Sequence, residues 1–495
     1  MPTQSRPDAR ADENFSSASE DSRVLRQHTR IGDRRADGGR VELVRNPYDG
    51  TPVGEVGVAT AAQIDAAIEV AARAFADTRR QPVHVRACVL ASAARLIDAH
   101  ADELSELMAR ESGKPIQFCR GEVARAVVTF DMGSAVVRTF HGEVVPVDLE
   151  ARAEGRLCIT TRVPRGPVAA ISPFNFPLNL VAHKLSPAFA VGTTVVLKPP
   201  QQCPLTAFRL GELLDEAGLD PRALGIVHCP PELGQRLVED ERLRVLSFTG
   251  SDAVGWKLKA LAGKKQVLLE LGGNAPCIVD EDVDLDDVVP KINMASWANA
   301  GQVCIRVQRV LVHASVYDAF MQRFLAATAA TKVGDPLDEK TVVGPIIERK
   351  HVDRLLAWIR EAVHAGATLH CGGEADGNVV QPTILTEVPE TARVWKDEAF
   401  GPVTIVEKFA RFEDAIAACN AGRFGLQAGV FTRDIGRALQ AFRDLDYGGV
   451  IVGDTPMFRV DNYPYGGTKD SGFGREGVRW AMEEMTEPKT LVMSG

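Results

Sequence analysis

The chain has 495 residues, enough for two or three domains, and its 57 Lys and Arg against 66 Asp and Glu give a net charge of −9. An acidic chain without a long basic run argues against nucleic acid as a main partner, and no apolar run approaches the roughly 18 residues of a membrane span. The nine cysteines include no C-x-x-C pair. That pattern argues against a metal site or a disulfide framework and predicts a reducing, cytoplasmic location.

The N-terminal residues 1–40 are polar and mixed in charge, without the apolar segment of a secretory signal, so we predict a disordered extension. Order is predicted to begin near Val41 with a strand that ends in an Asn-Pro and Asp-Gly turn. Apolar residues then recur at helical spacing in three stretches, of which the second has a possible break near His100. The three stretches are 61–76, 85–111 and 122–140.

A run of alternating strands and helices follows a segment at 144–162 that favours a hairpin or bridging strand pair. The strands are predicted at 168–171, 193–197, 225–228, 245–248 and 267–269. Such alternation predicts a parallel, doubly wound sheet, the usual platform for a nucleotide. The turn from Gly250 to Gly255 could place a helix N-terminus beside a diphosphate, although a plain strand-to-helix turn fits the spacing equally well.

A second α/β segment is predicted after Asn274. Its helices are expected at 286–300, 317–331 and 350–365, and its strands follow Cys304 and lie around 403–409 and 449–452. A glycine-rich loop at 464–474 and an edge strand at 487–493 end the chain.

Cys304 lies in a turn of small residues directly before a Val- and Leu-rich strand. A thiol on such a turn can meet a substrate while its backbone N–H points at the same place, which supplies both the nucleophile and an oxyanion donor. A lone cysteine is more often a small buried hydrophobic residue. Other residues must therefore decide between the two interpretations.

Four polar residues favour the catalytic interpretation. Asn175 offers an amide donor suited to an oxyanion, and Glu270 is a carboxylate among apolar residues, where burial raises the pKa toward that of a general base. Lys198 ends a strand at the edge where a nucleotide ribose would lie, and Glu398 could bind the other ribose. Taken singly, Asn175 could be a turn former, Glu270 a solvated loop charge and Lys198 a surface cation.

Together, and in this order, these segments resemble the aldehyde dehydrogenase superfamily from about Val41 to the C-terminus. The matching segments are ISPFNFP (171–177), VVLKP (195–199), FTGS (248–251), LELGGN (269–274), GQVC (301–304), EAFGP (398–402) and YGGTKDSGFGREG (465–477).

The resemblance implies an α/β protein with the aldehyde dehydrogenase fold. A Rossmann-like parallel-sheet domain (41–143 and 163–270) would bind NAD+ or NADP+, followed by an α/β catalytic domain (271–483). A β bridging segment (144–162 and 484–495) would mediate oligomerisation, which implies a homodimer or homotetramer.

The resemblance also implies the chemistry. Cys304 would attack an aldehyde, Asn175 and the Cys304 N–H would hold the oxyanion, and Glu270 would activate the water that hydrolyses the resulting thioester. Lys184 and Glu476 match positions proposed to relay protons from Glu270; a surface lysine and a structural salt-bridge partner are the alternatives. Because Glu270 is present, the hydrolytic branch fits and the branch that transfers the acyl group to coenzyme A does not.

The cofactor contacts follow from the resemblance, and one of them departs from the usual pattern. Gln201 stands where relatives that prefer NAD usually carry a glutamate, and a neutral amide would not repel a 2′-phosphate. The K-P-P-x-Q string is similar to the non-phosphorylating glyceraldehyde-3-phosphate dehydrogenase branch, so we predict that NADP is tolerated or preferred. The predicted contacts are Ser172, Pro173, Phe174, Lys198, Pro200, Gln201, Gly250, Ser251, Val254, Leu271, Glu398 and Phe400.

Arginines distinguish the predicted substrate pocket. Arg459 stands where many relatives place an aromatic residue, Arg125 lies on a helix that borders the entrance in relatives, and Arg306 follows the nucleophile by two positions. Guanidinium groups favour an anionic or hydroxylated aldehyde. The alternative is that Arg306 faces away and Arg125 pairs with a nearby acid. The predicted pocket comprises Arg125, Phe176, Val303, Ile305, Arg306, Arg459 and Tyr465.

The substrate class therefore has several candidates. Val303 replaces the arginine that phosphate-handling relatives often carry before the nucleophile, which counts against a phosphate. The segments FRVDNYPYGG and AMEEMTEPKT are similar to the lactaldehyde dehydrogenase branch. We expect a small polar aldehyde of the lactaldehyde, glyceraldehyde 3-phosphate, phosphono or sulfo type. Alternatives are a broad-specificity aliphatic or semialdehyde dehydrogenase, a thioesterase-like hydrolase and an inactive structural relative.

Overall fold

Helices and strands alternate along residues 25–37 and 39–494, the part of the chain that the computed structural model describes. The break predicted near His100 separates the second and third helices. The helices are α1 (Ala61–Thr78), α2 (Val83–Ala99), α3 (Ala101–Ser112), α4 (Ile116–Val136), α5 (Asn179–Val191), α6 (Leu205–Glu216), α7 (Pro231–Glu239), α8 (Asp252–Leu261), α9 (Leu285–Trp297), α10 (Tyr317–Ala329), α11 (Arg349–His364), α12 (Arg393–Lys396), α13 (Phe412–Asn420), α14 (Ile435–Asp444) and α15 (Val478–Glu484). Among the residues described, none of these helices is both long and apolar enough to cross a membrane.

Most strands belong to two large sheets. The strands are β1 (Leu25–Gln27), β2 (Thr29–Ile31), β3 (Arg34–Ala36), β4 (Arg40–Arg45), β5 (Pro52–Val58), β6 (Val144–Val145), β7 (Arg156–Pro164), β8 (Val168–Ile171), β9 (Val195–Lys198), β10 (Leu224–Ile226), β11 (Val245–Thr249), β12 (Gln266–Glu270), β13 (Ala275–Val279), β14 (Val307–His313), β15 (Thr368–Cys371), β16 (Ala375–Asp376), β17 (Val379–Val380), β18 (Thr383–Thr386), β19 (Val403–Phe409), β20 (Phe424–Gly425), β21 (Gln427–Phe431), β22 (Gly449–Val452), β23 (Thr468–Lys469), β24 (Gly472–Phe473) and β25 (Thr486–Ser494).

The first large sheet has the order β24-β12-β11-β8-β9-β10-β2-β3. Its five central strands run parallel, which confirms the predicted doubly wound sheet. These strands are short apolar runs buried on both faces, as expected where helices cover a parallel sheet. Because parallel strands end at one edge, Lys198 at the end of β9 and Glu270 at the end of β12 lie on the same edge.

The N-terminus corrects one prediction. Residues 25–36 are not disordered: β2 pairs with β10 at the edge of the first sheet, β3 pairs with β2, and β1 pairs with β5. The buried Arg30 guanidinium donates to the Asp215 carboxylate and to the Leu224 carbonyl at 2.8 Å. A polar segment is ordered here because backbone pairing and one buried ion pair replace hydrophobic burial. Residues 1–24 lie outside the described residues.

The second large sheet, of order β15-β18-β19-β14-β13-β21-β22, follows Asn274 as predicted. Strands β18, β19, β14, β13, β21 and β22 run parallel, and only β15 pairs antiparallel. Its core includes Trp297 stacked on Phe324, with ring centroids 5.9 Å apart. The connection from α9 to β14 carries Cys304 to the junction between the two large sheets.

A separate three-stranded sheet joins β6, β7 and the C-terminal strand β25. All nine residues of β25 pair with β7, from Thr486 opposite Pro164 to Ser494 opposite Arg156. Most of β25 is exposed, including the apolar Leu491 and Val492. The C-terminal strand thus returns to the predicted bridging segment; the exact domain boundaries stay predictions.

Candidate active site

The Cys304 turn is held in an unusual backbone conformation. Asn299, Ala300 and Gly301 have consecutive φ angles of 53°, 54° and 68°. A side chain at Gly301 would come within 2.4 Å of the Gly401 carbonyl oxygen, so only glycine fits there. Non-glycine residues in this region cost of the order of 1–3 kcal/mol each and persist where the surroundings enforce them. The turn is therefore pressed against the loop that carries Glu398.

The Cys304 thiol lies in a small apolar cluster. Val303, Ile305, Leu426 and Tyr465 form its buried part, and Phe176, Met457 and Tyr463 pack against it together with Cys304. Burial raises the pKa of the Cys304 thiol to about 11, while its hydrogen bond with the Tyr465 hydroxyl, 3.4 Å from Sγ, acts in the opposite direction. The structure brings the predicted Phe176, Val303, Ile305 and Tyr465 together around the sulfur.

Asn175 lies beside this turn, where its Nδ2 donates to the Gln302 carbonyl at 2.9 Å. The Asn175 loop is held by two residues that the sequence did not single out. Lys114 Nζ donates to the Asn175 carbonyl at 3.2 Å and to Glu122 at 2.6 Å. Glu122 also accepts from two backbone N–H groups at the start of α5. The Lys114–Glu122 pair therefore fixes the position of the predicted oxyanion donor.

Glu270 is buried, and its Oε2 has no hydrogen-bond partner among the described residues. Burial and the neighbouring Glu476 charge raise the pKa of Glu270 well above its usual value, although Arg459 and Lys184 oppose the shift. A carboxyl group with a raised pKa and a free oxygen is suited to accept a proton during catalysis.

Lys184 and Glu476 lie next to each other, with Nζ 3.6 Å from Oε1. Lys184 is fully buried, so the alternative of a surface lysine is wrong, and burial lowers its pKa. Burial alone would raise the pKa of Glu476, but Lys184, His183 and Arg459 hold it well below its usual range. Of the two, Lys184 with its lowered pKa is the group suited to exchange a proton near Glu270, and the Glu476 carboxylate holds it in place. The relay itself stays a prediction.

His183 and Asp461 complete this network and were missed in the sequence. His183 Nε2 lies 2.8 Å from Asp461 Oδ1, and its Nδ1 lies 3.2 Å from Glu476 Oε2. The available signal was weak: His183 directly precedes Lys184 on a helix that is otherwise nearly all apolar. Its partners lie almost 300 positions along the chain, so spacing could not reveal them.

The two predicted arginines at positions 125 and 459 converge. Arg125 Nη2 lies 2.8 Å and Arg459 Nε 3.9 Å from the same Asp461 oxygen. Arg459 Cζ lies 3.5 Å from the centroid of the Tyr465 ring, whose hydroxyl contacts Cys304. Arg125 does pair with a nearby acid, yet its side chain remains 29% exposed. Both groups thus meet at Asp461, and Arg459 is linked to the nucleophile through Tyr465.

The prediction that Arg306 lines the substrate pocket is wrong. Its guanidinium is buried and donates to the Val403 carbonyl and to Gln308 Oε1, both at 2.9 Å. Burial lowers its pKa to about 9. The chain turns between Val303 and Arg306, so the side-chain alternation of a strand does not apply there. Arg306 instead braces the strand that follows the Glu398 loop.

The predicted cofactor residues surround the carboxyl edge of the first sheet. Ser172, Pro173 and Phe174 follow β8, and Pro200 and Gln201 follow β9. Phe174 packs edge-to-face on Phe400, with centroids 5.8 Å apart.

Gly250, Ser251 and Val254 lie at the start of α8, where a side chain at Gly255 would collide with Leu271. This close approach keeps the first turn of α8 against the sheet edge, and Val254 is exposed there. A helix N-terminus in this place suits a diphosphate.

Buried polar groups at this edge fit a dinucleotide. The Ser172 hydroxyl is buried without a partner among the described residues, and burial lowers the pKa of Lys198. Glu398 Oε1 accepts from the Gly273 N–H at 2.9 Å, and burial raises the pKa of Glu398 to about 7. Such groups are suited to bind ribose hydroxyls.

The chain matches the family model described as aldehyde dehydrogenase family over residues 35–491. The protein belongs to the aldehyde dehydrogenase family. It is an NAD(P)+-dependent aldehyde oxidoreductase, as its curated relatives and solved structural neighbours also indicate.

Three known proteins illustrate the similarity. The 3-sulfolactaldehyde dehydrogenase of Priestia megaterium is 42% identical over 452 residues, 91% of this chain and 94% of that protein. Aldehyde dehydrogenase 21 from Physcomitrella patens, solved with the reaction product succinate, is 40% identical with a TM-score of 0.93, covering 95% of this chain and 98% of the other. Glyceraldehyde-3-phosphate dehydrogenase from Methanocaldococcus jannaschii, solved with NADP, is 36% identical with a TM-score of 0.89, covering 92% and 100%.

Proposed function

We propose that this aldehyde dehydrogenase oxidises a small aldehyde with an anionic or hydroxylated substituent to the carboxylic acid. The convergence of Arg125 and Arg459 on Asp461, with Arg459 against the Tyr465 ring that contacts Cys304, carries the proposal. The two guanidinium groups share one carboxylate, that of Asp461, while Lys184 also lies against Glu476. Arg459 also contacts the Glu476 carboxylate, so three cations face the two carboxylates of Asp461 and Glu476. Glu270 adds a third carboxylate only when it is ionised, and its pKa is raised well above the usual value by burial. While Glu270 is protonated, one positive charge is in excess and an anionic substituent would balance it.

The relatives support this substrate class. One is named for 3-sulfolactaldehyde and another was solved with succinate, both of which are anions. A broad-specificity aliphatic dehydrogenase, the alternative considered from the sequence, would not need the buried Arg459 guanidinium next to the tyrosine that contacts the nucleophile. Burying such groups is costly unless they are paired or bind a ligand.

The proposed chemistry uses residues of this chain at each proton transfer. The Cys304 sulfur attacks the carbonyl carbon, and the Asn175 amide and the Cys304 N–H hold the oxyanion. The residues at the carboxyl edge of the first sheet, among them Lys198 and Glu398, would hold NAD(P)+, which would supply the acceptor for the hydride that leaves the same carbon. Glu270 then takes a proton from the water that attacks the thioester, and Lys184 and Glu476 return that proton toward solvent. The carboxylate product leaves and Cys304 regains its proton.

We also propose that the enzyme uses NADP+ efficiently, and the neutral side chain of Gln201 supports this proposal. Gln201 is exposed and lines a cavity of about 370 Å³ with Lys350 and Glu42. The Glu42 carboxylate pairs with His228 at 2.9 Å, and Glu348, which lines the same cavity, pairs with Lys350 at 2.8 Å. A 2′-phosphate would meet no unpaired carboxylate at this position.

A homo-oligomer in a reducing, cytoplasmic compartment is proposed as the working form. The exposed apolar residues of β25 and the exposed Ile435, Leu439 and Phe442 of α14 support association between copies, since patches of this kind mark interfaces. Nine free cysteines fit a reducing compartment. Light scattering of the purified protein tests the assembly; a monomer at micromolar concentration would refute it.

The substrate proposal is tested by comparing kcat/KM for propanal, lactaldehyde and phosphonoacetaldehyde. We expect the polar aldehydes to exceed propanal by tenfold or more, and Arg125→Met and Arg459→Met to remove that advantage. Arg110→Met, on an exposed ion pair of α3, is the matched control and should change nothing. If propanal has the highest kcat/KM, the proposal is wrong.

A further inference from the structure

The hydroxyl group of Tyr465 has a single hydrogen-bonding neighbour within the described residues, the sulfur of Cys304 at 3.4 Å. The tyrosine is almost fully buried, so water does not replace that neighbour. Either atom could donate when the cysteine is a thiol. Once the thiol has lost its proton, the sulfur can only accept, and the tyrosine must be the donor.

Two features keep Tyr465 a donor. Burial and the neighbouring Cys304 raise the pKa of the Tyr465 hydroxyl well above its usual value, so it stays protonated wherever the enzyme works. The second feature is the apolar surroundings of the sulfur. The side chains of Val303, Ile305 and Leu426 offer the sulfur no hydrogen-bond donor that could replace the tyrosine. A hydrogen bond to a charged acceptor in such a place is stronger than one between neutral groups.

Arg459 reinforces the tyrosine through its ring. The guanidinium carbon lies 3.5 Å from the ring centroid, and Nη2 lies 3.2 Å from both Glu476 Oε2 and His183 Nδ1. These contacts hold the cation over the ring. A cation over an aromatic face attracts its electrons, which makes the hydroxyl hydrogen a better donor.

We propose that Tyr465 is a catalytic residue that stabilises the Cys304 thiolate by donating its hydroxyl hydrogen, with Arg459 as a positioning residue that acts through the tyrosine ring. In this step the S–H bond breaks, the sulfur keeps the electron pair, and the proton leaves to the Glu270 carboxylate or to water. The proposal concerns the nucleophile alone. It holds whichever aldehyde is the substrate, so it does not depend on the proposed function.

The test measures the thiolate directly, by alkylation with iodoacetamide between pH 6 and 11. The thiolate attacks the methylene carbon, the C–I bond breaks and iodide leaves, so the rate follows the thiolate fraction. Mass spectrometry of the peptide that carries Cys304 separates it from the other cysteines. Iodoacetamide is neutral, so loss of an anion-binding arginine does not change its access.

In Tyr465→Phe, which keeps the ring and loses the hydroxyl, we expect the alkylation midpoint to rise by about one pH unit and the rate at pH 8 to fall about tenfold. Tyr463→Phe is the matched control, because the Tyr463 hydroxyl contacts Gln427 and the Phe458 carbonyl instead of the sulfur. Its midpoint should equal that of the native protein. An unchanged or lowered midpoint in folded Tyr465→Phe overturns the proposal.

A second variant, Arg459→Gln, tests the positioning role. Arg459→Gln should raise the midpoint by less than Tyr465→Phe does, because the hydroxyl remains. In the Tyr465→Phe background, Arg459→Gln should shift the alkylation midpoint by less, because the hydroxyl through which Arg459 acts is absent. Equal effects of Arg459→Gln in both backgrounds, or no effect in either, overturn the assignment of Arg459. Circular dichroism establishes that each variant is folded.

Discussion

Replacing Lys114 by methionine should damage both stability and catalysis, because this buried cation has two separate tasks. Its side chain and that of Glu122 are 2% and 0% exposed and lie 2.6 Å apart. Methionine fills a similar volume but leaves the Glu122 carboxylate buried with only the backbone N–H groups of α5 as partners. Removing one member of a buried pair typically costs about 3–5 kcal/mol of unfolding free energy.

The effect on catalysis has a different origin. Lys114 Nζ also donates to the Asn175 carbonyl at 3.2 Å and lies 3.5 Å from the centroid of the Phe176 ring. Deleting an oxyanion donor outright lowers kcat by about 10²–10³. A donor that is displaced and still present should cost less, so we expect kcat to fall by about tenfold.

Urea unfolding and initial rates of aldehyde-dependent NADPH formation measure the two effects. Arg120→Met is the matched control: its ion pair with Glu339 is about half exposed, and such pairs are worth only about 0–1 kcal/mol. The double change of Lys114→Met with Glu122→Gln should recover part of the stability, because no charge remains buried. If Lys114→Met unfolds within 1 kcal/mol of the native protein and keeps its kcat, the reasoning is refuted.

Three further results are expected. Gln201→Glu should lower the ratio of kcat/KM for NADP+ over NAD+ by tenfold or more, because the new carboxylate would repel the 2′-phosphate. Gln201→Ala should leave this ratio nearly unchanged. Equal ratios in the two variants would contradict the prediction. Because the Glu398 carboxyl ionises near pH 7, the cofactor KM should fall as pH rises through that value, and Glu398→Gln should abolish the dependence. Cys304→Ala should remove NAD(P)H formation, whereas Cys419→Ala, a change at a buried position of α13, should retain it. Residual turnover in the first variant would disprove the role of Cys304.

Much of the fold could be predicted from the sequence because its strands are simple. The parallel strands are short runs of apolar residues bounded by helices, so their periodicity and length identify them. Lys198 and Glu270 end two such strands, and strand ends of a parallel sheet share one edge. Their proximity could therefore be predicted before any contact was known.

The errors and omissions have physical causes too. Strand β2 is polar and is stabilised by pairing with a strand far along the chain, which local hydrophobicity does not reveal. Arg306 lies on a turn, where the side-chain alternation of a strand does not apply, so that alternation wrongly predicts a side chain facing the pocket. His183 was missed because its partners Asp461 and Glu476 lie far along the chain, and such ion pairs leave no local pattern. Lys114 pairs with the nearby Glu122, but its role comes from the Asn175 carbonyl on another element, which the local sequence does not reveal.

The position of β2 has a consequence for synthesis of the protein. Arg30 leaves the ribosome about 200 residues before Ile226, the residue it faces in β10. The sheet edge can close only after most of the cofactor domain has been made, and until then both strands expose backbone groups that could pair with other chains. A truncated chain that begins at residue 35, where the family match begins, would lack β2 and could not close this edge. It would also leave the Asp215 carboxylate without its partner Arg30. Residues 29–31 thus protect a sheet edge whose partner strand is made much later.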